Sequence, residues 1–139
     1  FSQSFTSTSF WYNKGANAER ELIKLFAKNG FAVLRVAGSG TNPLPCPDVV
    51  ALKDGVAIAI ECKAKKGIYL PITVEQIEEE VSWAKMAGSK FLVAWKVPRK
   101  GWLFLKVGHF RKKDKNYMIK LEEALTKSIS FEKVCSLKF

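Results

Sequence analysis

Apolar and polar positions follow two periods along this chain, and the switches between them mark out its elements. Ala16, Leu22, Ile23 and Phe26 share one stripe at helical spacing and Asn29-Gly30 supplies a stop, which predicts a helix over residues 17–29. Residues 31–36 form a β-rich run, after which Gly38-Ser39-Gly40 opens a loop stiffened by Pro43, Pro45 and Pro47. Residues 48–52 read as a second strand, and Asp54-Gly55 is a strong hairpin signal. Val56–Ala64 is apolar on both faces until Glu61, the pattern of a central strand. Residues 65–73 read as a connection ending at Thr73, a cap for a helix over 74–86. That helix turns Val74, Ile77, Val81 and Ala84 inward and its glutamates to water, and Gly88 ends it. Lys90–Val97 and residues 102–107 read as a hairpin around Pro98-Arg99-Lys100-Gly101. Residues 111–115 read as a charged loop, and 121–126 and 130–134 as short terminal helices. With no internal repeat, this order predicts one α/β domain: a central mixed β-sheet flanked by helices.

Composition narrows the class. The 139 residues are 47% hydrophobic and 26% charged, the balance of a single soluble globular domain. The expected division is a flexible N-terminal segment over 1–13, a functional domain over 14–134 and a C-terminal tail over 135–139. No apolar run reaches the ~18 to 20 residues of a membrane span, so no membrane partner is expected. The opening segment lacks a basic stretch followed by an apolar core, so no signal peptide is expected either. Three cysteines in no Cys-x-x-Cys pattern argue against structural zinc and for a reducing, cytoplasmic setting. A single histidine, His109, leaves little scope for Ser-His-Asp or Cys-His chemistry, and no phosphate-binding P-loop is present. Charge points the other way. Lys and Arg number 23 against 13 Asp and Glu, a formal +10, which favours a polyanionic partner, nucleic acid before membrane.

The candidate chemistry lies in four charged residues placed where side chains should be buried. Glu19 shares the apolar stripe with Leu22, Ile23 and Phe26, so its carboxylate points toward the sheet and needs a partner. Asp48 opens a strand near the rim. Glu61 and Lys63, two apart on the next strand, project from one face. The Asp54-Gly55 hairpin brings Asp48 toward the level of Glu61. Their carboxylates and the backbone carbonyl of Cys62 form an all-oxygen cage suited to a hard divalent cation, Mg²⁺ or Mn²⁺. An ammonium beside it, Lys63, suits phosphodiester hydrolysis without histidine. The bland alternative is a surface ion pair between Glu61 and Lys63, with Asp48 as a turn residue after Pro47.

Pro47-Asp48 followed by Glu61-Cys62-Lys63 resembles the PD-(D/E)xK nuclease superfamily, whose members place an acid after proline on one strand and acid-x-lysine on the next. Two more blocks make the chain similar to the archaeal Holliday junction resolvases. Their Lys-Gly-x-x-x-Glu-Arg-Glu-Leu is met by Lys14-Gly15-Ala16-Asn17-Ala18-Glu19-Arg20-Glu21-Leu22. Their Gly-Phe-x-Val-x-Arg-x-x-x-Ser-Gly is met by Gly30-Phe31-Ala32-Val33-Leu34-Arg35-Val36-Ala37-Gly38-Ser39-Gly40. The resemblance runs from about Lys14 to about Thr126. It implies a restriction-endonuclease-like fold and a homodimeric, metal-dependent endonuclease that recognises four-way DNA junctions. It also implies Glu19, Asp48 and Glu61 as metal-site acids, Lys63 as the catalytic lysine, Ser39 as a catalytic loop serine, and Arg20 and Arg35 in support at the DNA. The middle residue of the acid-x-lysine triplet is usually hydrophobic in the family and is Cys62 here, where only its carbonyl would serve the metal. The Pro-rich loop over 41–47 is particular to this chain.

Other features divide more evenly. Lys65 and Lys66, and Arg111, Lys112 and Lys113, are solvated charge or, beside a nuclease site, phosphate clamps. Cys62 and Cys135 read as small apolar fillers and Cys46 as a loop residue. His109 reads as structural or as a phosphate contact, and Trp83, Trp95 and Trp102 as core or dimer contacts. The rival functions are another PD-(D/E)xK DNA endonuclease and a non-catalytic DNA-binding module on the same scaffold. Four partly buried charges speak against the second.

Overall fold

The computed structural model describes residues 7–38, 41 and 43–139, with 7–13 described by their backbone alone. A long helix α1 (Ser7–Lys28) leads into β1 (Ala32–Arg35), β2 (Val49–Lys53) and β3 (Val56–Ala64). Then come β4 (Tyr69–Thr73), α2 (Val74–Ala87), and the hairpin β5 (Lys90–Val97) and β6 (Gly101–Leu105). A single 3₁₀ turn at Val107–His109 precedes β7 (Arg111–Lys113), β8 (Asn116–Lys120), α3 (Leu121–Lys127) and α4 (Phe131–Cys135).

The main sheet has five strands in the order β1-β2-β3-β5-β6, antiparallel except for the β3–β5 pair. It is the expected mixed sheet, with β3 inside it. Asp54 (φ 52°) and Gly55 (φ 79°) both lie in the left-handed region, as a two-residue hairpin turn between twisted strands requires. Pleating then sorts β3. Ile58, Ile60 and Cys62 face α1, where Leu22 and Phe26 close a core that also holds Val49, Leu92 and Phe104. Phe26 meets the rings of Phe31, Phe104 and Phe131 edge-on, at 5.0, 6.0 and 5.2 Å. The other face packs Val93, Trp95 and Leu105 against Ile77 of α2 and Leu70, Ile72 and Ile119. Leu137 and Phe139 pack against the α1-side core, and Lys90 Nζ donates to the Phe139 carbonyl at 2.9 Å.

Three features depart from the periodicity reading. First, α1 begins at Ser7 rather than near residue 17; once its amphipathic half is docked, extending it backwards needs no new nucleus. Second, residues within 65–73 and 111–115, read as a connection and a loop, contribute β4 and β7. These join β8 in a small antiparallel sheet of order β4-β8-β7. The proline at position 71 concealed β4, but it sits on an outer strand, where a missing N–H does little harm. β7 is exposed throughout and offers no alternation to read.

Third, α2 is capped as expected but turned differently. The Thr73 hydroxyl accepts from the Gln76 N–H at 3.1 Å, and Gly88 (φ 67°) ends the helix in the left-handed conformation. Yet Ile77, Glu80 and Ala84 are its buried positions, while Val81 is 37% exposed. One glutamate expected in water is therefore inside.

Candidate active site

The end of β3 and the start of β2 bring the acids together. β2 pairs with β3 so that Val49 lies opposite Ile60, which sets Asp48 beside Glu61. Asp48 is held from both sides by its backbone: its N–H reaches the Ile60 carbonyl at 3.2 Å, and its carbonyl accepts from Val36 at 2.9 Å. β2 starts only at Val49, and the Cys62 N–H is taken by Asp48 Oδ2 at 2.9 Å. The carboxylate is thus buried, with its position tied to the next strand.

Glu61 is 3% exposed and lies on the α2 face of β3, opposite its apolar neighbours Ile60 and Cys62. Lys63 Nζ lies 3.2 Å from Glu61 Oε2, and Gln76 Nε2 of α2 donates to the same oxygen at 2.7 Å. Burial first, then the Asp48 charge, then a hydrogen bond to Glu80 and its charge push the Glu61 carboxyl well above the usual carboxylate range against the pull of Lys63. Burial and the Asp48 charge also raise Glu80, opposed by its hydrogen bonds to Glu61 and Gln76 and by Lys63. Without a cation, the Glu61–Glu80 pair holds on to a proton.

Glu19 enters from α1. It is half-buried and accepts from Arg35 Nε of β1 at 2.9 Å. Burial and Asp48 raise its carboxyl, and Arg35 opposes them. Asp48 is therefore the centre of the group, acting electrostatically on Glu19 on one side and on Glu61 and Glu80 on the other.

The remaining expected residues divide. Arg20 is exposed, with Nη1 3.4 Å from Asn17 Oδ1 one turn earlier on α1. Lys65 and Lys66 follow β3 and are exposed. With Lys14 and Lys63 they line a cleft of about 460 Å³. A second cleft, of about 550 Å³, continues past Lys14, Lys65 and Lys96. Lys14 and Lys96 extend the basic surface beyond the lysines singled out from sequence, although Glu21 binds Lys96. Arg111, Lys112 and Lys113 stand on β7 in the other sheet; Arg111 faces Glu123 at 3.8 Å and Lys112 faces Glu78 at 3.9 Å, both at the surface. Ser39 lies outside the described residues. Cys62 is buried and its thiol pushed far up by burial, a filler as expected; His109 Nδ1 accepts from the Lys106 N–H at 3.1 Å, a structural role. Trp95 is fully buried and donates to the Lys65 carbonyl at 2.8 Å, tying the end of β5 to the lysines after β3.

Glu80 was missed from sequence because Val81 offered an equally good inner position. The signal was Gln76 and Glu80 one turn apart, a polar pair on the side of α2 that meets the sheet.

Among the described residues, no three His, Cys, Asp or Glu side chains are already gathered as a metal-binding set. The chemistry of the donors still fits a hard divalent cation. Asp48, Glu61 and Glu80 are buried oxygen donors that repel one another, and Glu80 Oε1 is buried with no hydrogen-bond partner.

A mixed sheet that delivers an acid at one strand end and acid-x-lysine at the next, beside a lysine-lined cleft, has the oxygen donors and the basic surface that a nuclease requires. The family model described as archaeal Holliday junction resolvase (Hjc) matches residues 11–139. The crossover junction endodeoxyribonuclease Hjc of Archaeoglobus fulgidus is 41% identical over 107 residues, which cover 77% of this chain and 79% of that protein. Its namesake from Sulfolobus acidocaldarius is 38% identical over 112 residues, 78% of each. The solved structure of Archaeoglobus fulgidus Hjc, a Holliday junction resolvase from an archaeal hyperthermophile, superposes with a TM-score of 0.79. That overlay covers 88% of this chain and 96% of that one at 33% identity. The chain belongs to the archaeal Holliday junction resolvase family. Among the described residues, no helix is long and apolar enough to cross a membrane.

Proposed function

We propose that this chain is a divalent-metal-dependent endodeoxyribonuclease that resolves four-way DNA junctions, with residues 14–134 as its nuclease unit. The observation that carries the reading is the joining of Asp48 to β3 through the Cys62 N–H, which sets two buried acids and Lys63 at one strand end. The names of the relatives supply the substrate class. Glu19, Asp48, Glu61 and the Cys62 carbonyl would hold the cation, Mg²⁺ or Mn²⁺. When bound, it supplies Lewis-acid polarisation of the phosphate and a more acidic water. Lys63 places a positive charge beside the group where negative charge develops. Arg35 fixes the Glu19 carboxylate, while Arg20 and Ser39 contact DNA near the cut and Ser39 assists there. Lys65, Lys66, Arg111, Lys112 and Lys113 grip phosphates without reading sequence. Two opposed cuts require two such sites, so the working form is a homodimer, and a DNA-acting enzyme of this kind works in the cytoplasm.

The test compares a four-way junction with a linear duplex of the same sequences, with and without Mg²⁺. Junction-selective cutting that needs the metal is expected. Equal cutting of both substrates would overturn the junction reading, and cutting unchanged by chelator would overturn the metal reading.

A further inference from the structure

Glu80 is a buried acid to which the proposed cutting machinery gives no task. It occupies the sheet-facing stripe of α2 between Ile77 and Ala84, where an apolar side chain would bury at a gain, and it is 4% exposed. Its Oε1 is the one buried side-chain N or O atom without a hydrogen-bond partner among the described residues. The donors nearby do not serve that atom. Gln76, one turn earlier, and Glu61 both hydrogen-bond the Glu80 carboxylate through its other oxygen, Gln76 also gives its amide to Glu61, and Lys63 lies against Glu61. When ionised, Asp48, Glu61 and Glu80 set three buried carboxylates against the single ammonium of Lys63, an excess of two negative charges. A carboxylate kept for structure alone would have both oxygens satisfied, or would be replaced by an apolar group.

We propose that Glu80 is a further divalent-cation ligand of this site, acting beside Asp48 and Glu61 from the α2 side. The inference rests on the metal reading of that site and goes beyond it. It assigns a cation-binding oxygen to α2, an element that contributes no residue to the metal set implied by the family resemblance. Such a ligand raises the negative charge available to a hard cation, so it tightens binding and makes the folded chain more responsive to Mg²⁺ or Mn²⁺.

Mn²⁺ titrations of the full chain without DNA, read by the loss of the free-ion electron paramagnetic resonance signal and by calorimetry, test this. Wild type, Glu80→Gln, Glu80→Leu and Asp48→Asn are compared, with circular dichroism reporting the fold. Glu80→Gln is expected to weaken Mn²⁺ binding by about tenfold or more, in the range that losing a metal-site interaction costs. Glu80→Leu should do the same while keeping a packed α2, and the upward shift of melting temperature with Mn²⁺ should shrink in both. Wild-type Mn²⁺ affinity in both folded Glu80 variants overturns the proposal. If Asp48→Asn loses binding in that case, the metal site stands without Glu80; if it too binds normally, the metal reading falls as well.

Discussion

Asp48 ties a strand end in place and, on the reading proposed above, also serves the metal. Its Oδ2 caps the Cys62 N–H beyond the end of β2, so its position is fixed before any substrate arrives. Asn at this position can keep the acceptor but loses the charge. Asp48→Asn and Glu61→Gln should therefore leave junction affinity nearly unchanged while cutting falls by orders of magnitude. Gel-shift binding measured beside single-turnover cleavage checks this, and near-normal cutting by both variants would remove the acids from the metal site. The same residues give the metal-free protein an unusual pH response. Glu61 faces Asp48, Glu80, Lys63 and Gln76, and its carboxyl is raised by burial and by the two acids. A carboxyl raised on folding favours the folded state fully below the ordinary glutamate range, and that contribution is lost as pH rises toward the folded value. In chelator, melting temperature should therefore fall as pH climbs from about 5 through neutrality, and saturating Mg²⁺ should flatten the slope. A metal-free melting temperature that holds or rises over that interval would mean that Glu61 and Glu80 are not strained.

At the scale of elements, the sequence carried most of what positions the site. The two-residue period of a strand over Val56–Ala64 put Glu61 and Lys63 on one face, and the Asp54-Gly55 turn set the register that brings Asp48 alongside. Both follow from chain-local rules, and both agree with the structure. The small sheet was less legible, because β4 contains Pro71 and β7 is all basic; each is defined by its pairing with β8 and not by its own pattern. The rotation of α2 was illegible for a related reason. Val81 and Glu80 differ by one helical step, and the period of the helix alone does not choose between them for the inner face. The clusters of basic residues likewise divide by element. Lys65 and Lys66 leave the end of β3 directly beside the acids and line the cleft with Lys14 and Lys63, whereas Arg111 and Lys112 lie near glutamates on the other sheet. Replacing Lys65 and Lys66 together by alanine should weaken binding to any DNA sequence. It should also flatten the log–log salt dependence by about 0.9 for each phosphate that the variant no longer neutralises. Titrations at several salt concentrations measure that slope, and an unchanged value would leave these lysines as solvated charge.

For the whole molecule, the constraint is the symmetry of the substrate. A four-way junction in its open form has arms related by a two-fold axis, and productive resolution needs cuts in two opposed strands. One chain of 139 residues carries one set of Glu19, Asp48, Glu61 and Lys63, enough for one cut at a time. Repeating that set about an axis is the economical solution, and an isologous dimer also repeats the lysine-lined cleft on the matching face of the DNA. Two sites in one dimer can be told from one only when the subunits differ. In a dimer of one wild-type and one Asp48→Asn subunit, both basic surfaces remain, so junction binding should match wild type, while only one strand is nicked per encounter. Differently tagged subunits purified as mixed dimers, acting on a junction held in a small supercoiled plasmid, distinguish nicked circles from linear product. Nicked circles should accumulate with the mixed dimer and linear product with wild type. Linear product at the wild-type rate from mixed dimers, or resolution by a protein that remains monomeric at working concentration, would mean that a single site makes both cuts.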